Sequence, residues 1–230
     1  MLKLDRCLLE NGSFRLAADL EIDAGRRIAV IGPSGAGKTT LIEAIAGFVP
    51  ISEGKLSWKG QELTDVAPGQ RPIAMLFQDG NLFPHLSVAQ NVGLGIRPNL
   101  RLSREEQDRV RAAIARVGLQ GMEERKPAAL SGGQQSRVAL GRVLVQGRDL
   151  LLLDEPFAAL GPALKVEMLD LVAELAEETG ATVLMVSHDP ADARRIADQV
   201  VLVADGTAHP PMPTADLLDN PPPALKAYLG

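Results

Sequence analysis

Residues Gly32, Pro33, Ser34, Gly35, Ala36, Gly37, Lys38 and Thr39 form an unbroken GxxxxGK[ST] run, the stretch with the plainest chemical meaning in the chain. Glycines let backbone amides wrap a row of phosphates, Lys38 brings a point charge to the β and γ groups, and the Thr39 hydroxyl is a ligand for Mg²⁺. An apolar run, RRIAVIG, precedes it and a helically spaced one, KTTLIEAIAGF, follows. That strand, loop and helix context distinguishes a phosphate-cradling P-loop from an ordinary glycine-rich turn. Thr40 comes next in the chain and is counted with the phosphate-facing residues.

Two carboxylates stand far along the chain. Asp154 closes the apolar run DLLLLD and so falls at the carboxyl end of a buried strand, where open α/β sheets hold their ligands. It is expected as a second Mg²⁺ ligand. Glu155 follows, and a carboxylate beside a γ-phosphate can orient and deprotonate an attacking water. The plainer alternative is an acidic residue that starts a helix before Pro156.

The stretch ALSGGQQSRVAL, residues 129–140, is a second anion-facing candidate, with Ser131, Gly132, Gly133 and Gln134 at a helix start. Amides there point outward and the helix dipole favours negative charge. No lysine follows these glycines and no carboxylate lies close by, so the stretch reads as half of a site.

These residues need a scaffold, and the pattern of the chain supplies one. FRLAADLEI alternates as a half-buried strand, and GKLSWKG and PIAMLFQ also read as strands. From Ser87 to about Gly147 the pattern turns helical, with Ser103 and Glu106 in capping-box spacing and Val110, Ile114 and Val117 on one face. DLLLLDEP and ATVLMVSHD then restore the continuous apolar runs of buried parallel strands, separated by a helix over 162–179. The expected organisation is a nucleotide-binding core over 1–86 and 148–206, a helical insertion over 87–147, and a tail over 207–230. AHPPMPTADLLDNPPP carries six prolines, which predicts a loosely docked tail without regular structure.

Composition narrows the function. The 230 residues hold 24 Lys and Arg against 29 Asp and Glu, a net charge of −5 with no long basic run, which argues against a nucleic-acid partner. The single cysteine, Cys7, rules out an internal disulfide and fits a reducing compartment. No stretch approaches the roughly 18 consecutive apolar residues of a membrane span, and no signal-like segment opens the sequence.

In order along the chain, GPSGAGKTT, Gln78 in MLFQ, LSGGQ, LLLLDEP and His188 after LMVS resemble the motifs of ABC-transporter ATPase subunits, over residues 2 to about 206. The resemblance implies an α/β P-loop NTPase core with N-terminal antiparallel β strands and an inserted α-helical subdomain. It implies that the bound nucleotide is ATP with Mg²⁺, that Gln78 senses Mg²⁺ and water as a further metal ligand, and that His188 contacts the γ-phosphate. It also implies a head-to-tail homodimer sandwiching two ATP, each copy's Ser131–Gln134 stretch completing the other's site. The remaining implied partners are integral-membrane permease subunits and, indirectly, a periplasmic solute-binding protein, with this chain peripheral on the cytoplasmic face of the inner membrane. Within the family, RPIAMLFQDGNLFPHLSVAQNVGLGIRPNLRL and VVLVADG resemble the thiamine-import branch. An importer of another small solute, a soluble ABC ATPase outside transport and a module that binds ATP without hydrolysis are the alternatives.

Two positions depart from the family pattern. In PFAALGP, Gly161 stands where similar proteins have the aspartate that bridges the two sites, which predicts slower or less coordinated hydrolysis. Where similar proteins stack an aromatic on adenine, this chain has Asn11 or a neighbour, and the nearby Phe14 reads rather as a core residue of its strand. Leu82 and Phe83, within the segment Asp79 to Asn91, are either permease contacts or core. Gly141, inside the helix after the second anion stretch, costs about 1 kcal/mol relative to alanine and suggests close packing.

Overall fold

The computed structural model describes residues 1–12, 14–78, 80–222 and 225–226. Asp79, the side chain of Asn11 and residues 223, 224 and 227–230 of the tail therefore lie outside the description. In chain order the strands are β1 (Leu2–Asn11), β2 (Phe14–Ile22), β3 (Arg27–Ile31), β4 (Ile51–Trp58), β5 (Gln61–Glu62), β6 (Ile73–Leu76), β7 (Leu150–Asp154), β8 (Thr182–Val186), β9 (Gln199–Ala204), β10 (Thr207–Ala208) and β11 (Met212–Pro213). The helices are α1 (Lys38–Ala46), α2 (Val88–Gly93), α3 (Arg104–Arg116), α4 (Gly132–Leu144), α5 (Pro162–Thr179), α6 (Pro190–Ile196) and α7 (Thr214–Asp219).

Hydropathy decides which strands sit where. β7 and β8, LLLLD and TVLMV, are buried at every residue and occupy the interior of a parallel set ordered β9-β3-β8-β7-β6. Strands covered on both faces read as continuous apolar runs for this reason. β2 alternates exposed and buried residues over most of its length, as expected of a strand with one wet face, and pairs antiparallel with β1, which in turn pairs antiparallel with β4. The short β10 joins the two parts, parallel to β2 and antiparallel to β9. The N-terminal antiparallel strands and the P-loop core are thus one continuous sheet.

The helical segment packs as its pattern predicts. Ser103 accepts from the Glu106 amide while the Glu106 carboxylate accepts from the Ser103 amide, closing the capping box of α3. Val110, Ile114 and Val117 are buried with Val88, Val92, Val138 and Val143 in the core shared by α2, α3 and α4. At Gly141 a β-carbon would lie 3.4 Å from Val92 and 3.5 Å from Val117, ordinary contact, so packing there does not demand glycine.

One buried side chain ties the core together. Arg71 is 4% exposed and donates to the carbonyls of Ala44 and Ile45, at 2.9 and 2.7 Å, at the carboxyl end of α1. It also donates to Val66 and Thr64 carbonyls in the loop leading to β6. A cation on the last helical carbonyls meets both their unpaired lone pairs and the negative end of the dipole.

The expectation of a loose tail is corrected over residues 207–219. Thr207 and Ala208 form β10, Met212 and Pro213 pair with β9 at the edge of the sheet, and Thr214 caps the turn with a bond from its hydroxyl to the Ala197 carbonyl. Leu217, Leu218 and Leu225 are buried against Val200 and Leu202. Proline is compatible with an edge strand because its missing N–H faces away from the ladder, so these prolines shape the docking rather than prevent it.

Candidate functional site

β3 ends at Ile31 and α1 begins at Lys38, and the six residues between form the loop. The N-cap of α1 is Gly37 at φ 103°, with no side chain capping the first amides. A β-carbon at Gly37 would lie 2.6 Å from the Phe14 ring, so the loop tolerates only glycine there. Phe14 is therefore half-buried above the loop. It packs against the core of its strand, as expected, and also lines an open cleft of about 340 Å³ with Ser34, Gly35, Gly37, Lys38, Thr39, Thr40 and Glu155.

The Lys38 ammonium folds back onto the Gly32 and Pro33 carbonyls, 2.9 Å from each. Burial pulls its pKa below the usual lysine value, against the pull of Glu155 and Asp154. Thr39 Oγ1 donates to Asp154 Oδ1 at 3.2 Å, so residues 115 positions apart meet at one point. Burial raises the Asp154 carboxyl above its ordinary value, with the Thr39 bond opposing. A hydroxyl and a carboxylate oxygen side by side are the hard donors Mg²⁺ takes when phosphate oxygens and water complete its shell, so this pair fits the ion.

Glu155 adopts φ 43°, a left-handed conformation rare for a side-chain-bearing residue and worth about 1 kcal/mol or more of strain. Its Oε2 lies 3.2 Å from His188 Nδ1. β7 and β8 are paired strands, Asp154 opposite Val186, and this register brings Glu155, one residue past Asp154, near His188, two residues past Val186. The geometry joins an imidazole to a carboxylate that lines the same cleft as Lys38 and Thr39.

Gln78 is not in that cleft. It is exposed and lines a groove with Gly132, Gln135, Ser136, Ala139 and Leu160. The cause is visible next to it: Arg142 of α4 donates to the Gly80 and Asn81 carbonyls at 2.5 and 2.7 Å, holding the loop against the helical segment. Leu82 packs into the helical core while Phe83 is 46% exposed, so the two adjacent residues take different sides.

At the second anion stretch, Ser131 caps α4. Its hydroxyl accepts from the Gln134 amide and the Gln134 carboxamide accepts from the Ser131 amide. Ser131 and Gly132 are exposed, whereas Gly133 is buried. A β-carbon at Gly133 would lie 2.2 Å from Leu164 of α5, so close helix approach requires this glycine. Gly161 caps α5 with no side chain, and a β-carbon there would meet open space. Lys165, Asp192, Arg142 and Arg71 carry polar ties around the site that sequence patterns do not single out.

The signature described as ABC transporter matches residues 17–158. The chain belongs to the ABC transporter family. Among similar members, the thiamine import ATP-binding protein ThiQ of Ruegeria sp. (strain TM1040) is 67% identical and that of Cereibacter sphaeroides 60%, each over all of both chains. ThiQ of Photobacterium profundum is 47% identical, over 99% of this chain and 98% of its own. The fold resembles the ATP-binding cassette MJ0796, solved as a dimer in a post-hydrolysis state with ADP and Pi, with TM-score 0.79 and 29% identity over 93% of this chain and 99% of that one. This ABC ATPase thus carries its P-loop, its strand-end carboxylates and its helical segment in the architecture the motifs predict.

Proposed function

We propose that this chain is the ATP-binding and ATP-hydrolysing subunit of a bacterial thiamine importer, two copies closing on two ATP to drive a membrane permease. The hydrolytic part rests on one observation: Glu155, 3.2 Å from His188, lines the same cleft as Lys38 and Thr39, and Thr39 bonds Asp154. The thiamine assignment rests on full-length identity of 67% and 60% to two proteins named for that transport.

In this reading Gly32, Pro33, Ser34, Gly35, Ala36, Gly37 and Thr40 supply the cradle, the uncapped amides of α1 meeting the β-phosphate. Lys38 exchanges its bonds to the Gly32 and Pro33 carbonyls for phosphate oxygens, a trade of neutral acceptors for charged ones that favours the bound state. Thr39, Asp154 and, once its loop moves, Gln78 hold Mg²⁺. When bound, the ion neutralises charge on the phosphates. Glu155 accepts a proton from the attacking water, and His188 orients that carboxylate and donates to the γ-phosphate. Phe14 is the aromatic nearest the cleft for adenine. Ser131, Gly132, Gly133 and Gln134 complete the partner's site, as their exposed helix start without lysine or metal ligand suits. Phe83, exposed beside the Gln78 loop, is the contact for the permease.

Among the described residues no helix is long and apolar enough to cross a membrane, so membrane attachment in this reading comes from the permease. Uptake of labelled thiamine at low external concentration is the test. Cells lacking the chain should regain uptake with the wild type and not with Glu155→Gln. Uptake that never depends on the chain would overturn the thiamine assignment.

A further inference from the structure

His188 sits between two residues that are each held by side chains. Ser187 donates its hydroxyl to Asp192 Oδ2 at 2.5 Å, and the Asp189 amide donates back to the Ser187 hydroxyl at 3.1 Å. Asp189 also caps α6, accepting from the Ala191 amide at 2.9 Å. One cation closes this arrangement. The Lys165 ammonium lies 2.9 Å from Asp189 Oδ2 and 2.8 Å from Asp192 Oδ1, with its side chain 17% exposed and that of Asp192 9% exposed.

Lys165 belongs to α5, which begins seven residues after Glu155. Gly161, at the start of that helix, has no side chain to offer the His188 loop. The second α5–α6 tie, Asp170 with Arg195, is exposed on both sides and lies at the far end of α6. Burial also changes what the two ties are worth. An exposed pair contributes little, whereas breaking the well-covered Lys165–Asp192 contact strands a charge and costs several times as much.

We propose that Lys165 is a positioning residue for hydrolysis: by binding Asp189 and Asp192 at once, it locks the His188 loop against the helix that follows Glu155 and so sets the His188–Glu155 separation. The proposal rests on the reading of Glu155 and His188 given above. The contacts of the Lys165 ammonium are to Asp189 and Asp192 rather than to Glu155 or His188 themselves. Its effect passes through the backbone of residues 187–189, whose shift by an ångström can cost on the order of a hundredfold in rate.

The test compares full-length wild type, Lys165→Met, Lys165→Arg and Glu155→Gln in steady-state ATP hydrolysis, with nucleotide affinity and the histidine ring NMR signals measured in parallel. The chain has three histidines, and His188→Gln assigns the relevant signal. Lys165→Met should lower kcat by roughly tenfold to a hundredfold while the Kd for ATP stays within about twofold, and it should shift the His188 signal. Lys165→Arg, which keeps the charge, should restore both. Should Lys165→Met unfold, Lys165→Gln is read in its place. An unmoved His188 signal with wild-type kcat, or loss of ATP affinity in step with kcat, overturns the proposal. If Glu155→Gln itself hydrolyses ATP, the reading of Glu155 fails, while the His188 signal still decides whether Lys165 positions that ring.

Discussion

Two helix starts in this molecule are candidates to meet phosphate, and they are prepared differently. α1 begins at Gly37 without a side-chain cap, beside a buried lysine and the Thr39–Asp154 pair. α4 begins at Ser131 with its capping box already closed by Gln134 and with no cation or carboxylate of its own site. The first has open amides and its own countercharge. In the second, the Ser131 and Gln134 amides are taken by the capping box, so a phosphate that claims either must be worth more than the bond it displaces. On the function proposed above, the difference means that the first loop holds nucleotide alone, while the second joins only when a partner presents nucleotide to it.

The largest effect should come from removing the charge at the first loop. Lys38→Ala should weaken ATP binding about 100-fold, since charged hydrogen bonds are worth about 1.5–3 kcal/mol each, and should abolish hydrolysis. Titration with a fluorescent ATP analogue checks this, and near-native affinity would place the phosphates elsewhere. Ser131→Ala should leave that affinity unchanged in the isolated chain but prevent ATP-dependent dimerisation of Glu155→Gln, seen by light scattering. It should also cost about 1 kcal/mol of stability through the lost cap. Weakened nucleotide binding by the monomer would break the comparison.

Acid should loosen the P-loop side. β3, the strand that leads into the loop, is pinned at its start by Arg27, whose amide and guanidinium both bond Asp198. Burial pushes the Asp198 carboxyl up, but these bonds outweigh it and hold the pKa below the ordinary value. A depressed carboxylate stabilises the fold fully above its unfolded pKa near about 4, and that stability is lost as pH falls through the lower folded value. Urea midpoints should therefore drop as pH falls below the unfolded carboxylate value, and Asp198→Asn should flatten that limb. An unchanged profile would show that the pair does not hold β3.

The smallest effect concerns α5. α6 shows what an Asp-Pro start provides, since Asp189 caps Ala191 ahead of Pro190, and α5 has Gly-Pro at the same place. Gly161 has φ −65° and open space around it, so Gly161→Asp adds a cap without strain. Stability should rise by a few tenths of a kcal/mol, about 1 °C in Tm, and the ATPase rate should rise as the family's bridging acid returns. A lower Tm or an unchanged rate would mean the glycine serves another purpose.

What could be read from sequence was whatever is contiguous. The P-loop, the four-leucine run ending at Asp154 and the capping boxes of α3 and α4 are local patterns with local causes, and α5 spans the predicted 162–179. Positions that depend on remote partners were less legible. Phe14 looks like any alternate apolar residue until Gly37 is brought beneath its ring. Gln78 lies away from Thr39 and Asp154 because Arg142, 64 positions later, fastens the neighbouring loop to α4. Lys165 looks like an ordinary helix-surface lysine until α6 places two aspartates against it. The prolines of 210–213 suggested disorder because composition carries no information about an available sheet edge.

Arg71 fastens the root of β6 to the far end of the P-loop helix, and Arg142 fastens the loop beyond Gln78 to the helical segment. Gln78 is therefore slung on a short tether whose two anchors belong to different bodies. When the bodies shift, the slack must be taken up in the few residues around it, because both anchors grip backbone carbonyls and neither grips a side chain that could swing aside. A tether of that kind reads displacement rather than chemistry.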